Sequence, residues 1–223
     1  MRKYSIAIDG PSGAGKSTLA KALAAKLGFL YVDTGAIYRT VGLYVARNGG
    51  DCAVESDVLA RLPAIKIAMT YGEDGLQRMI LNGEDVTTDI RKNEVSRYAS
   101  QVSPIPGVRA FLLEMQRSMA REHSVIMDGR DIGTVVLPDA DVKVFLTASA
   151  PERARRRCLE LEQRGTPQPF EKVLAEIEER DYNDSHRATA PLRQAEDAVL
   201  LDTTELDFVQ SEAAMMKLIG ERV

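Results

Sequence analysis

The feature that most constrains this chain is a run near its start, Gly10-Pro11-Ser12-Gly13-Ala14-Gly15-Lys16-Ser17, which fits the pattern G-x4-G-K-[ST] without a gap. The pattern carries chemistry only between a strand and a helix, and both are legible. Residues 4–8 form a short apolar stretch with the character of a buried strand. Leu19, Leu23 and Leu27 then fall on one helical face, with Gly28 where a left-handed cap belongs. In that setting the glycines let the backbone curl so that successive N–H groups converge on phosphate oxygens. The helix start adds its positive dipole end, and Lys16 a mobile charge. Residues Gly10, Pro11, Ser12, Gly13, Ala14, Gly15, Lys16, Ser17 and Thr18 are therefore expected to hold the polyphosphate of ATP or GTP. Ser17 and Asp128 are the expected Mg2+ ligands.

The rest of the chain alternates strand and helix. Residues 29–32, 125–127, 142–146 and 199–201 read as further strands. Val108, Leu112, Met115 and Met119 mark one helix, and Ser149 with Glu152 a capping box for a helix running to Gly165. A last helix spans 208–221. Such alternation predicts an α/β fold: a P-loop NTPase-type five-stranded parallel sheet flanked by helices. The middle differs. Ile65, Ile67, Met69 and Tyr71 alternate with more polar residues, 72–75 turn, 76–81 form a second strand, and Asn82-Gly83 signals a type I′ hairpin into a third strand at 86–88. The expected organisation is core at 1–33, an insertion with a small antiparallel sheet at 34–103, core at 104–152, a short lid at 153–167 punctuated by Gly165 and Pro167, and core at 168–223.

Acidic residues outnumber basic ones, 33 to 29, which argues against a protein built to grip nucleic-acid backbone. The basic residues are 20 Arg and only 9 Lys, favouring the guanidinium fork that matches phosphate oxygens. Cys52 and Cys158 suggest neither a zinc site nor a disulfide, and no apolar stretch is long enough to span a bilayer. The reading is a soluble, cytoplasmic, monomeric protein whose partners are small molecules, not nucleic acid or membrane.

Four arginine-bearing groups stand out. Asp33-Thr34-Gly35-Ala36-Ile37-Tyr38-Arg39 follows the second strand, where a parallel sheet opens its ligand crevice, although an ordinary helix cap would look the same. Asp128-Gly129-Arg130-Asp131 follows the third core strand and could be a plain turn. Arg180, Asp184 and Arg187 have the spacing of one helical face and could be a solvated ion pair. Arg153, Arg155, Arg156 and Arg157 crowd like charges as if waiting for an anion, or simply face solvent. His123 and His186 receive no role. A guanine-reading N-K-x-D motif is missing, which disfavours a GTP-dependent switch.

Ile8 to Lys16, Asp33 to Arg39, Ser100-Gln101-Val102, Asp128-Gly129-Arg130-Asp131-Ile132-Gly133-Thr134 and Glu179-Arg180-Asp181 together resemble the bacterial-type cytidylate kinase family over nearly the whole chain. The resemblance implies ATP-dependent phosphorylation of CMP and dCMP, with the insertion as the monophosphate-binding region. It implies catalytic roles for Lys16, Arg130, Arg180 and Arg157. Ser100, Arg109 and Asp131 would meet the cytosine edge, Arg39, Arg130 and Arg187 the acceptor phosphate, and Arg180 with Asp184 the sugar and phosphate. Asp33 and Thr34 complete the substrate-binding set; some relatives carry Ser in place of Thr34. A kinase for UMP or a small non-nucleotide acid is the alternative.

Overall fold

A computed structural model of the protein describes residues 2–73 and 75–222. In chain order its elements are β1 (Ser5–Asp9), α1 (Lys16–Leu27), β2 (Leu30–Asp33), α2 (Thr34–Arg47), α3 (Glu55–Arg61), β3 (Ile67–Tyr71), β4 (Gln77–Leu81) and β5 (Glu84–Asp85). They continue with α4 (Asn93–Val102), α5 (Pro106–Glu122), β6 (Val125–Gly129), β7 (Val142–Thr147), α6 (Ala150–Gln163), α7 (Phe170–His186), β8 (Val199–Asp202) and α8 (Phe208–Gly220). The chain divides into two compact units: Tyr31–Glu122, and the remainder up to Leu30 and from His123 onward. The first therefore starts slightly before the expected insertion and also takes in α5.

The expected five-stranded parallel sheet is ordered β2-β6-β1-β7-β8, and its strands β6, β1, β7 and β8 belong to the larger unit. Strand β1 is flanked by β6 and β7, and Ile6, Ile8, Ile126, Met127, Val144 and Leu146 are almost wholly buried, as befits strands covered on both faces. Leu19 and Leu23 of α1 and Met215 and Ile219 of α8 join this core, and Lys26 pairs with Glu212 across the two helices at 2.6 Å. Helix α8 starts in a full capping box between Asp207 and Gln210. At α6 only half the expected box forms: Ser149 accepts from the Glu152 N–H, while the Glu152 carboxylate turns to Arg155 and Arg156. Helices α6 and α7 share a small core of Ala154, Leu161, Val173 and Ile177. The register matters most for function. Ile8 faces Asp128 and Asp9 faces Gly129, so the loop after β1 and the turn after β6 leave the same edge of the sheet, where the strand order reverses about β1.

The smaller unit contains the antiparallel sheet β3-β4-β5. Asn82 and Gly83 both have positive φ, 50° and 89°, the signature of the type I′ turn. This tight loop starts the return strand at once, so the third strand lies at Glu84–Asp85 and not at 86–88; the Val86 N–H still reaches the Met79 carbonyl at 2.9 Å. Gly75 closes on Gly72 at 2.9 Å in the expected turn, in which Asp74 lies outside the described residues. Helix α5 buries Val108, Arg109, Leu112 and Gln116. Met115 and Met119, grouped in the sequence with Val108 and Leu112 as one apolar helix face, are only partly buried, because the row Val108, Leu112, Gln116 at i, i+4, i+8 turns inward in their place. Among the described residues, no helix is long and apolar enough to cross a membrane.

Candidate active site

The loop between β1 and α1 keeps its shape for steric reasons. A Cβ on Gly10 would sit 1.9 Å from the Leu146 carbonyl oxygen of β7, and Gly10 has φ +150°. Gly15, at φ 87°, is the left-handed residue that caps α1, so the helix starts at Lys16. Pro11 and Ala14 are buried beneath the loop, while Gly13 and Thr18 are exposed. The first N–H groups of any helix lack intrahelical acceptors, which makes this terminus a ready anion site.

Lys16 is buried and donates from Nζ to the Pro11 carbonyl at 2.7 Å. Burial holds its pKa well below the ordinary lysine range; the charge of Arg130 lowers it next, Arg180 adds to the effect, and Asp128 and Asp9 oppose it. Three cations thus lie within electrostatic reach of one another, an arrangement relieved by a multiply charged anion. Ser17 Oγ donates to Asp128 Oδ2 at 2.8 Å, bringing the two expected metal ligands side by side. Among the described residues no group of three or more His, Cys, Asp or Glu could hold a metal. Two hard oxygens completed by phosphate oxygens suit Mg2+, which commonly binds through one or two protein ligands and its substrate.

The turn after β6 brings in the acceptor-side candidates of this unit. Arg130 Nε donates to Asp184 Oδ2 at 2.7 Å, and Arg187 pairs with Asp131 at 3.5 Å with both side chains buried. Burial is the largest single influence on Asp184 and would raise its pKa, yet the net shift is downward: Arg130, Arg180 and Arg187 together outweigh it and keep the carboxylate ionised. Arg180 and Asp184 lie on α7 as expected, but the helix ends at His186. Arg187 has φ −63° and ψ 141°, and its Nε bonds to the Ala190 carbonyl at 2.7 Å. Its proximity to the cluster comes from the chain leaving the helix, so the expected common helical face is corrected at that residue.

The Arg153–Arg157 group is corrected as well. Its crowded charges are compensated within the chain: Arg153 by Asp181, Arg155 and Arg156 by Glu152, and Arg157 by Glu160 at 2.6 Å. The member that reaches the phosphate loop is Arg153, which donates to the Ser12 carbonyl at 3.0 Å and to the Ala148 carbonyl at 2.8 Å. Asp9 is a further residue that sequence reasoning missed: buried, it accepts the backbone N–H groups of Ile132 and Gly133, both at 2.7 Å. An acid closing an otherwise apolar strand was its only available signal.

In the smaller unit, Asp33 is the helix cap that the sequence also allowed, accepting the Ala36 N–H at 2.9 Å, and it pairs with Arg39 at 2.8 Å. Thr34 is buried. The Nε of Arg39 is buried with no hydrogen-bond partner among the described residues, an unsatisfied donor in a charged side chain. Ser100 donates to the Ser96 carbonyl at 3.3 Å. Arg109 donates to the Ser103 carbonyl at 3.1 Å and lies 5.7 Å over the ring of Tyr38, which sequence reasoning left without a role.

A parallel sheet carrying a phosphate loop at its switch point, a buried loop lysine and a hydroxyl–carboxylate pair defines a P-loop nucleotide-binding protein. An uncharacterized protein from Eubacterium ventriosum shares the fold, with a TM-score of 0.55, 13% identity and coverage of 99% of this chain and 100% of its own. The family model for cytidylate kinase matches residues 6–221. A cytidylate kinase of Caldicellulosiruptor bescii is 50% identical over 218 residues, 98% of this chain and 96% of its own. One from Solibacter usitatus is 49% identical over 224 residues, 100% and 94%. The chain belongs to the cytidylate kinase family.

Proposed function

We propose that this chain transfers the γ-phosphoryl group of ATP to CMP or dCMP, giving ADP and CDP or dCDP. The supporting observation is the placing of Arg130 and Arg180 within electrostatic reach of the buried Lys16 at the phosphate loop, where burial first and then the two arginine charges depress the lysine. Phosphoryl transfer spreads charge over the equatorial oxygens of the moving group, and preplaced cations stabilise that charge without a covalent enzyme intermediate. The loop amides and Lys16 hold the donor's phosphates. Ser17 and Asp128 would hold Mg2+, which when bound adds Lewis-acid neutralisation of the same charge.

On the acceptor side, Arg39, Arg130 and Arg187 hold the monophosphate, and Arg180 with Asp184 the sugar and phosphate. Ser100, Arg109 and Asp131 read the base. Cytosine offers an N4 amino donor that a carboxylate accepts, whereas uracil presents an acceptor there. Residues 153–167, with Arg157 among them, serve as the cover that excludes water from the reaction, and Gly165, at φ 72°, supplies a pivot. The reading extends to a cytoplasmic monomer acting on free nucleotides.

The test is product identity. With ATP, Mg2+ and CMP, CDP and ADP should appear in equal amounts; ADP without CDP would make the protein an ATPase and overturn the reading.

A further inference from the structure

Strand β4 turns Gln77, Met79 and Leu81 to one buried face. A glutamine at the first of these positions is costly unless its amide is satisfied, and this one is only 7% exposed. Its partners are the Asp33 backbone and the Met79 sulfur. Gln77 Oε1 accepts the Asp33 N–H at 2.8 Å, while Nε2 lies 3.4 Å from the Asp33 carbonyl and 2.9 Å from the Met79 sulfur. A second bond runs the same way, from the Tyr71 hydroxyl of β3 to the Tyr31 carbonyl at 3.1 Å. The end of β2 is therefore held at two points by side chains of the antiparallel sheet.

Asp33 is where this matters. Its Oδ1 caps α2 through Ala36 and its Oδ2 pairs with Arg39 NH2 at 2.8 Å, leaving the buried Arg39 Nε without a partner among the described residues. Gly35 allows this close geometry: a Cβ there would lie 3.1 Å from both Asp33 Oδ1 and Arg39 NH1. Backbone, carboxylate and guanidinium form one chain of contacts that begins at Gln77.

We infer that Gln77 is a positioning residue for the acceptor phosphate. The small antiparallel sheet, through Gln77, sets the Asp33 backbone and so orients the Arg39 fork. The inference rests on the proposed acceptor role of Arg39 and gives the antiparallel sheet a task in that reaction. A one-ångström error in a group that orients a substrate is enough to cost binding or rate, so losing this brace should register in kinetics before it registers in folding.

The experiment uses Gln77→Met, which keeps the volume and removes both amide bonds, and Gln77→Glu, which keeps an oxygen to accept the Asp33 N–H. Steady-state kinetics and amide hydrogen exchange are measured on both and on the unmutated protein. Gln77→Met should raise the KM for CMP roughly fivefold, the size of one net hydrogen bond, leave the KM for ATP unchanged, and speed exchange at the Asp33 amide. Gln77→Glu should lie between the two. A loss of folded protein would lower kcat without separating the two KM values, and that outcome, like an unchanged Asp33 amide or an unchanged KM for CMP, overturns the inference. Failure of the unmutated protein to phosphorylate CMP would overturn the proposed function instead, and the Asp33 amide would still decide whether the brace exists.

Discussion

Asp9, which immediately precedes the phosphate loop, accepts the N–H of Ile132 with one carboxylate oxygen and that of Gly133 with the other. Strand β1 is thereby joined to the turn carrying Arg130 and Asp131, so the phosphate loop and the turn after β6 share one anchor. Burial raises the Asp9 pKa to about 6, although both amide bonds favour the ionised form. A carboxyl group whose folded pKa exceeds its unfolded value binds more protons in the folded state, so its contribution to stability falls as pH rises through the window from 3.8 to about 6. The full swing is about 3 kcal/mol. Urea unfolding should show the stability of the unmutated protein declining relative to Asp9→Asn between about pH 4 and pH 7. A difference between the two that does not change with pH would contradict this.

Lys16 carries the opposite shift. Its pKa is depressed by burial and by Arg130, so raising pH removes its proton earlier than from an ordinary lysine. A polyphosphate placed against it restores the ammonium form, and binding must then take up a proton from solution. Calorimetry in buffers of different ionisation enthalpy should show uptake on binding Mg-ATP that grows between about pH 6 and pH 9. Binding heats independent of buffer at the higher pH would rule out a depressed lysine at the phosphates.

Arg180 influences both Lys16 and Asp184 electrostatically and is assigned to the acceptor and the moving phosphoryl group. A charge-assisted bond to phosphate contributes about 1.5–3 kcal/mol. Arg180→Ala should therefore reduce kcat/KM for CMP by roughly tenfold or more while leaving ATP affinity nearly intact. Equal loss of both would place the residue elsewhere.

Local chemistry was readable in the sequence, and long-range partnership was not. The phosphate loop and the Asn82-Gly83 turn each follow from backbone demands that only certain residues meet, and both appear where the residues stand. Arg153 is different. Its neighbours in sequence suggested unbalanced charge, but its partner Asp181 lies a whole helix away, so only the fold reveals the compensation. Gln77 occupies a buried face that periodicity reserves for apolar side chains, because its hydrogen bonds, invisible in spacing, offset the cost; Gln116 is buried with its Nε2 bonded to the Leu112 carbonyl and its Oε1 without a partner among the described residues. Arg187 joins the site only because α7 ends one residue earlier, and helix ends are the least local of helix properties when no glycine or proline marks them.

In the proposed reaction a carboxylate and an arginine select cytosine while the cation cluster drives transfer. Its most direct test is a coupled ADP-release assay with CMP, dCMP, UMP and AMP at saturating Mg-ATP. The expected result is kcat/KM for CMP and dCMP at least about tenfold above UMP and AMP, within the roughly 1–3 kcal/mol of discrimination that one good base-edge pair supplies. A preference for UMP or AMP would contradict it.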